Sequence, residues 1–90
     1  MSLETVKLIF NQRYGVSVAD MNEETLISDV CTDSLEILEL LMYIEEEFSV
    51  TVPDDVAQEL KTLGDIAGFM DGTISEETLE SITRKIQNEA

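Results

Sequence analysis

Apolar residues recur along much of the chain at the spacing of an α-helix. Residues 3–14 place one every three or four positions, and Gly15 then suits the left-handed conformation that ends many helices. The apolar stripe consists of Leu3, Val6, Ile9 and Phe10. We therefore predict a first helix over residues 3–14, with Ser2 as its N-cap.

The strongest helical pattern covers residues 34–48. Asp33 and Glu36 have the spacing of a capping box, which marks the start of a helix. The apolar residues on one helical face are Leu35, Leu38, Leu41, Met42 and Phe48, and those that widen it are Ile37, Leu40 and Ile44. We expect this face to lie against the core.

Residues 16–32, between these two helices, show no sustained period and are rich in side chains that favour turns. They predict a long loop, and loops of this length are usually functional or pinned by their own apolar residues. The candidate pins are Val16, Val18, Met21, Leu26, Ile27 and Val30.

Three further helices are predicted in the second half of the chain. Pro53 suits the first turn of a short helix, whose apolar face is Val56, Ala57 and Leu60. Thr62 can cap a longer helix that Gly72 ends. Ser75 can cap a last helix over residues 76–88.

Together these elements predict an all-α fold, an antiparallel four-helix bundle with three long helices and one short helix, plus an extra C-terminal helix. We assign residues 1–72 to the bundle and residues 73–90 to a helical extension packed on the same domain. A partner-binding or dimer role for the apolar residues of the extension is the alternative. These residues are Leu79, Ile82 and Ile86.

The charge of the chain is strongly acidic and unevenly distributed. Twenty acidic residues oppose five basic ones, giving a formal net charge of −15, and no lysine or arginine occurs between Arg13 and Lys61. Such a surface repels nucleic acid and anionic membranes and favours a protein partner with a basic surface. Neither a membrane span nor a secretory signal is visible, so we expect a cytoplasmic protein. We also expect it to be a monomer.

The available side chains argue against an enzyme. The chain has no histidine and one cysteine, Cys31, which excludes an internal disulfide and metal sites built on nitrogen and sulfur ligands. Ser34 has no histidine to activate it, and the adjacent Asp33 is too weak a base. At the start of a strong helix Ser34 could carry a phosphate, although local chemistry alone favours a simple cap.

Several short motifs follow one another in the order and spacing of a known family. They are Asp33-Ser34-Leu35, Glu36, Glu39, Leu40, Met42, Glu45-Glu46-Glu47-Phe48, Val52-Pro53-Asp54 and Thr62-Leu63-Gly64-Asp65. In this order they resemble the acyl carrier proteins, over about residues 1–72. The resemblance implies a carrier domain over those residues, with a helical bundle of acyl-carrier type.

The resemblance also implies a cofactor and its site. A phosphopantetheinyl transferase would attach 4′-phosphopantetheine from coenzyme A to Ser34, with Asp33 and Leu35 as flanking cofactor-binding residues. The thiol of this arm would hold acyl groups as thioesters for fatty acid, polyketide or specialised lipid synthesis. Because the transferase activates the serine, the carrier needs no base and is not itself an enzyme.

The second helix would be the recognition surface in such a carrier. The partner-binding candidates on its more polar flank are Glu36, Glu39, Tyr43 and Glu46. The expected partners are the transferase and acyl-ACP synthetases or ligases, ketosynthases or acyltransferases with basic docking surfaces. In the family acyl chains can withdraw between helices, and the candidate lining residues, each also explained as plain core, are Leu38, Met42, Val56, Leu60 and Ile66.

The sequence departs from the family pattern at a few positions. Cys31 and Thr32 replace the usual glycine and small residue before Ser34, which bears on turn geometry and on recognition by a transferase. We interpret Cys31 as a buried apolar side chain. Tyr43 stands where the family often has a smaller residue, which suggests a surface suited to a particular partner. Two other functions stay open: a peptidyl carrier that accepts aminoacyl groups, and an unmodified acidic interaction module.

Overall fold

The computed structural model describes residues 2–89, which form a helical bundle. The helices in this range are α1 (Ser2–Tyr14), α2 (Ile27–Val30), α3 (Ser34–Phe48), α4 (Asp54–Ala57), α5 (Leu63–Thr73) and α6 (Glu76–Glu89), with a 3₁₀ turn at Val18–Asp20. The predicted all-α fold is confirmed. The pattern did not indicate α2, because four residues are too few to show a period. None of the helices within residues 2–89 has the length and apolar character to cross a membrane.

The core is built by the four longer helices. Helix α1 packs against α5 and α6, and α3 also packs against α6. The most deeply buried side chains include Val6, Ile9, Phe10, Leu40, Ile44, Leu63, Ile66 and Met70. Leu79 and Ile86 of α6 are buried in the same core. Ile82 is half-buried against this core, so the packing of the three residues argues against the alternative of a partner-binding or dimer contact.

Specific hydrogen bonds hold the two ends of α1. Gly15 adopts a φ of 73°, and its N–H donates to the Asn11 carbonyl at 2.9 Å, which confirms it as the stop of the helix. The prediction of Ser2 as N-cap is wrong. Ser2 is buried, and both its hydroxyl (2.6 Å) and its N–H (3.1 Å) donate to Asp71 Oδ1. A buried hydroxyl needs such a partner, and this one ties α1 to α5.

Asp33 caps α3, but not through a capping box with Glu36. The Asp33 carboxylate accepts a hydrogen bond from the Leu35 N–H at 3.0 Å. At the other end the helix stops at Phe48, as predicted. Ser49 follows in the left-handed conformation, with a φ of 54°, a position that glycine most often fills.

The buried face of α3 differs from the predicted one. Its buried residues are Leu40, Leu41, Ile44 and Phe48. Leu35, Leu38 and Met42, which were expected in the core, are 59%, 57% and 55% exposed. The apolar residues of α3 extend over more of its circumference than the bundle covers, and periodicity does not show which part faces the core. We call Leu35, Leu38 and Met42 the outer apolar strip.

Backbone hydrogen bonds attach the long loop to the start of α5. They run from the Ile27 N–H to the Lys61 carbonyl (2.9 Å), from Leu63 to Thr25 (3.0 Å) and from Gly64 to Glu23 (2.9 Å). An isolated β-bridge pairs Leu26 with Thr62 in the same region. The first N–H groups of α5, which lack intrahelical acceptors, are thereby satisfied by the loop.

The apolar pins of the loop are only partly as predicted. Met21 and Ile27 are buried, and Val16 and Val30 are half-buried. Val18 and Leu26 are exposed, at 37% and 44%, so the prediction is wrong for these two. The backbone bonds to α5 hold this part of the loop, and the side chain of Leu26 is not needed as an anchor.

Thr62 begins α5 with a complete capping box. Its hydroxyl accepts from the Asp65 N–H at 3.1 Å, while Asp65 Oδ2 accepts from the N–H groups of Lys61 (2.9 Å) and Thr62 (3.1 Å). These backbone N–H groups hold the pKa of the Asp65 carboxyl below its ordinary value, because they stabilise the charged form.

Other helix boundaries in the second half shift slightly. Gly72 does not end α5, which continues to Thr73 and is followed by extended backbone. Pro53 is the N-cap of α4 and not part of its first turn. Ser75 caps α6 as predicted, since its hydroxyl accepts from the Thr78 N–H at 3.2 Å.

Gly64 allows the loop to approach α5, and its replacement tests that contact. A Cβ at this position would lie 2.8 Å from the Glu23 carbonyl oxygen. We expect Gly64→Ala to lower the free energy of unfolding by about 1–3 kcal/mol. The matched control is Gly68→Ala, where the added Cβ meets nothing within 4 Å. This control should gain about 0.5–1 kcal/mol from better helix propensity. Urea denaturation of both variants measures the difference, and shifts in the same direction would contradict the close approach.

Candidate functional site at the start of α3

Ser34 is the first residue of α3, and it is exposed. Asp33 supplies the cap, and the Ser34 hydroxyl makes no hydrogen bond to any other residue between 2 and 89. The simple capping role that local chemistry favoured is therefore wrong. The hydroxyl is free to react with a group that approaches from solvent.

The N-terminus of α3 provides a suitable electrostatic setting for a phosphate on this hydroxyl. The first N–H groups of a 15-residue helix lie at the positive end of its dipole. At the start of α3, the Leu35 N–H donates to the Asp33 side chain at the surface. At the start of α5, by contrast, the first N–H groups donate to the loop. The carboxylates of Asp33 and Glu36 are nearby. Their negative charges would repel a phosphate. We therefore expect the phosphodiester to be exposed, where water and salt weaken this repulsion.

The outer apolar strip begins beside Ser34 and continues along α3. Glu39 and Glu46 are exposed and belong to the same side of the helix, because residues three, four and seven apart share a face. We call these two acids and the outer apolar strip together the outer face. Its combination of apolar and acidic side chains suits a partner with an apolar centre and a basic rim.

Glu36 and Tyr43, the other two partner-binding candidates, are half-buried and adjoin Glu39 and Glu46 at intervals of three and four residues. The Arg13 guanidinium carbon lies 4.9 Å from the centre of the Tyr43 ring, within the range of a cation–π interaction. The Tyr14 hydroxyl lies 3.5 Å from the Glu36 carbonyl oxygen. The four candidates thus lie along one side of α3, where Glu39 and Glu46 are exposed while Glu36 and Tyr43 contact the end of α1.

The five candidate lining residues for an acyl chain do not form one interior surface. Leu38 and Met42 are exposed on the outer apolar strip, Val56 and Leu60 are half-buried, and Ile66 is buried in the core. The expectation that Leu38 and Met42 line the interior is wrong, because the bundle does not cover the part of α3 on which they lie.

Cys31 precedes the site and is buried, as interpreted from the sequence. Burial raises the pKa of its thiol, and the raising effect exceeds the opposite effect of the hydrogen bond with Tyr14. Burial likewise raises the pKa of the Tyr14 hydroxyl. The thiol is therefore neutral and shielded at physiological pH. Within residues 2–89 no three carboxylate or thiol side chains gather as possible ligands for a metal ion.

Arg13 lies near the site, although sequence reasoning did not identify it as a site residue. The available signal was its position, because it is the last base before a long stretch without lysine or arginine. Periodicity could not show that the end of α1 meets the flank of α3.

Comparison with known proteins agrees with this geometry. The family model described as "Phosphopantetheine attachment site" matches residues 4–70, and the chain belongs to this family of carrier proteins. The cofactor of the family is covalently attached 4′-phosphopantetheine. Ser34, the outer apolar strip and the first turn of α5 all lie within the matched residues.

Two curated relatives indicate which kind of carrier protein this chain is similar to. The acyl carrier protein of Clostridium acetobutylicum is 35% identical over 71 residues, which cover 78% of this chain and 92% of the relative. The acyl carrier protein of Helicobacter hepaticus is 32% identical over 71 residues, which cover 78% of this chain and 93% of the relative. The recognition of an acyl carrier relationship from the motifs is confirmed.

The buried position of Cys31 predicts low reactivity. With its pKa raised, the thiol holds less thiolate at pH 8 than a free cysteine does, and burial also blocks access. We expect iodoacetamide to alkylate the folded, unmodified protein at least about tenfold more slowly than the same protein in concentrated urea. Intact mass spectrometry follows the reaction, and equal rates in the two conditions would contradict the burial of Cys31.

Proposed function

We propose that this chain is an acyl carrier protein in which Ser34 bears the phosphopantetheine arm. The observation that carries the proposal is the free, exposed hydroxyl at the positive end of α3, within the residues that the family model matches. The arm supplies a thiol that holds acyl groups as thioesters. The chain itself holds the hydroxyl at the surface, with Asp33 capping the helix and Leu35 beside it.

The attachment reaction needs groups that the carrier does not supply. The serine oxygen attacks the phosphorus of coenzyme A nearest to the pantetheine, the phosphoanhydride bond breaks, and adenosine 3′,5′-bisphosphate leaves. A base on the transferase takes the serine proton. This division of labour is consistent with a chain that lacks histidine.

The same proposal covers the partners and the organisation of the chain. Residues 1–72 act as the carrier domain and residues 73–90 as an extension that packs on it, a division supported by the family match to residues 4–70. The partners are a phosphopantetheinyl transferase and then synthetases, ketosynthases or acyltransferases with basic surfaces. The protein acts as a cytoplasmic monomer in fatty acid, polyketide or specialised lipid synthesis.

Modification of Ser34 is tested directly by mass. Incubation with coenzyme A and a phosphopantetheinyl transferase of broad specificity should raise the intact mass by one phosphopantetheine, and Ser34→Ala should abolish the increase. Ser28→Ala is the matched control, because Ser28 is also exposed and lies in the adjacent helix α2. An unchanged mass of the parent protein, or an increase in Ser34→Ala, would contradict the proposal.

The alternatives give different results in two further measurements. Preferential loading of amino acids by adenylating enzymes would identify a peptidyl carrier, and preferential loading of fatty acids by an acyl-ACP synthetase supports an acyl carrier. Protein from its native source that lacks any modification of Ser34 would point to an acidic interaction module. The relatives named as acyl carrier proteins favour the first of these three functions.

The outer face of α3 should control the encounter with the transferase. We expect Glu39→Gln and Glu46→Gln each to raise KM by about twofold to fivefold at low ionic strength, because each removes one exposed charge that attracts a basic partner. The matched control is the pair Glu76→Gln and Glu77→Gln, which lies in the first turn of α6. Equal effects in both pairs would show that net charge, and not the outer face, controls docking.

A further inference from the structure

The stretch of chain that carries Ser34 is exposed between two residues that are held by the fold. Residues 32–35, which we call the exposed segment, all face solvent, whereas Cys31 before them is buried and Glu36 after them is half-buried. The hydroxyl of Tyr14, at the end of α1, contacts both flanking residues. It lies 3.5 Å from the Glu36 carbonyl oxygen and forms a hydrogen bond with the Cys31 thiol. One side chain of α1 thus joins the two ends of the exposed segment.

The chemistry of a phenol allows both contacts at once. A hydroxyl has one hydrogen to donate and lone pairs that accept, so Tyr14 can donate to the Glu36 carbonyl while it accepts from the Cys31 S–H. The distance to the Glu36 oxygen is long for a hydrogen bond, and a thiol is a weak donor. Each contact by itself is therefore weak, and the constraint on the exposed segment comes from their combination on one hydroxyl.

The position of this hydroxyl is set by the packing of α1. The half-buried Tyr14 ring packs against the core and meets the fully buried Phe10 ring edge to face, with 5.6 Å between ring centres. Gly15 ends the helix directly after it. Because the ring is held by the bundle, the hydroxyl is a fixed point against which the exposed segment is placed.

Cys31 makes this bridge a feature of the present chain. The usual residue of the family at this position is glycine, which has no side chain that could reach the Tyr14 hydroxyl. The Cys31 N–H donates to the Ile27 carbonyl at 2.7 Å, and only 1% of the residue is exposed. The thiol is therefore held by the loop on one side and by Tyr14 on the other.

We propose that Tyr14 is a positioning residue for the modification of Ser34, because its hydroxyl fixes both ends of the exposed segment in the conformation that a transferase receives. The inference rests on the proposed function, in which Ser34 is the attachment site. The serine oxygen must be aligned with the phosphorus of coenzyme A, and a misplaced nucleophile reacts slowly. Tyr14 does not touch the reacting atoms and acts through Cys31 and Glu36.

The variant Tyr14→Phe removes the hydroxyl and keeps the ring that packs on Phe10. We expect kcat/KM for phosphopantetheine transfer to fall by about threefold to tenfold. The loss should lie mainly in kcat, because the exposed acids of α3 that attract the transferase are unchanged. A change confined to KM would indicate an effect on docking and would overturn the proposal.

Thr5→Val is the matched control for this measurement. It removes another hydroxyl of α1 from a part-buried hydrogen bond, the 2.6 Å contact between the Oγ1 atoms of Thr5 and Thr83. Both variants should lower the stability of the bundle, but only Tyr14→Phe should slow the transfer reaction at a temperature where each variant is folded. Equal losses of kcat/KM in the two variants would show a general effect of stability and contradict positioning by Tyr14.

A second readout follows the exposed segment in the unmodified protein. Glu36 and Ile37 both donate their N–H groups to the Asp33 carbonyl, at 3.0 and 3.3 Å, so their protection reports the conformation at Ser34. We expect amide hydrogen exchange at these two positions to become about twofold to tenfold faster in Tyr14→Phe.

The first turn of α5 provides an internal control for the exchange rates. Asp65 and Ile66 donate in the same way to the Thr62 carbonyl, at 3.1 and 3.2 Å. These amides should keep the rates of the parent protein, because Tyr14 contacts the start of α3. Equal acceleration at the starts of both helices, or no acceleration at the start of α3, would overturn the proposal.

The part played by Cys31 is measured by a double-mutant cycle. Cys31→Ala removes the thiol, and we expect it also to lower kcat/KM. The double variant Tyr14→Phe/Cys31→Ala should lose less than the product of the two single losses, because both changes remove the same contact. Losses that multiply would show that the two side chains act independently, which contradicts the bridge.

These measurements distinguish a failure of the positioning role from a failure of the carrier function. If the parent protein gains no mass from coenzyme A, the proposed function fails, and hydrogen exchange alone decides whether Tyr14 holds the exposed segment. If Ser34 is modified and Tyr14→Phe reacts like the parent protein, the carrier function stands and the positioning role of Tyr14 is overturned.

Discussion

A bundle of this size covers only one side of α3, and the properties of the surface follow from that constraint. The core takes Leu40, Ile44 and Phe48, and the outer apolar strip stays in contact with water. Exposed apolar side chains that lie together are typical of surfaces that another protein covers. Ser34 lies at the end of this strip, so under the proposed function an attached arm would start beside these exposed apolar side chains. A larger core would have buried the strip.

The start of α3 depends on an element that is distant in sequence. The loop that leads to Ser34 is bonded through its backbone to the first turn of α5, and Gly64 permits the close approach of Glu23. Buried Ile27 and Cys31 then fix the chain before Asp33. Because Cys31 occupies the core in place of the usual glycine, the loop gains an apolar anchor shortly before Ser34. The exposed serine is therefore presented by a loop held at several points.

The negative charge of the chain is distributed unequally among its surfaces. Part of it serves internal structure: Asp65 closes the capping box of α5, Asp71 accepts from Ser2, and Glu45 accepts from Val52. Around α3, Arg13 lies over the Tyr43 ring and Lys85 pairs with Glu47, while Glu39 and Glu46 stay exposed. A count of charges describes only a long-range attraction of basic groups, whereas this arrangement determines which acids are exposed to them.

The sequence by itself determined the helical class, the span of α3, the cap at Asp33, the stop at Gly15 and the order of motifs that identifies the carrier family. These features depend on neighbours within one or two turns, so local patterns report them. Only the tertiary structure decided that Leu35, Leu38 and Met42 face water, that Ser2 is buried against Asp71, and that Arg13 and Lys85 reach α3. Each of these depends on which helix packs beside which. When a helix is apolar over much of its circumference, its pattern does not indicate which part the neighbouring helices will cover.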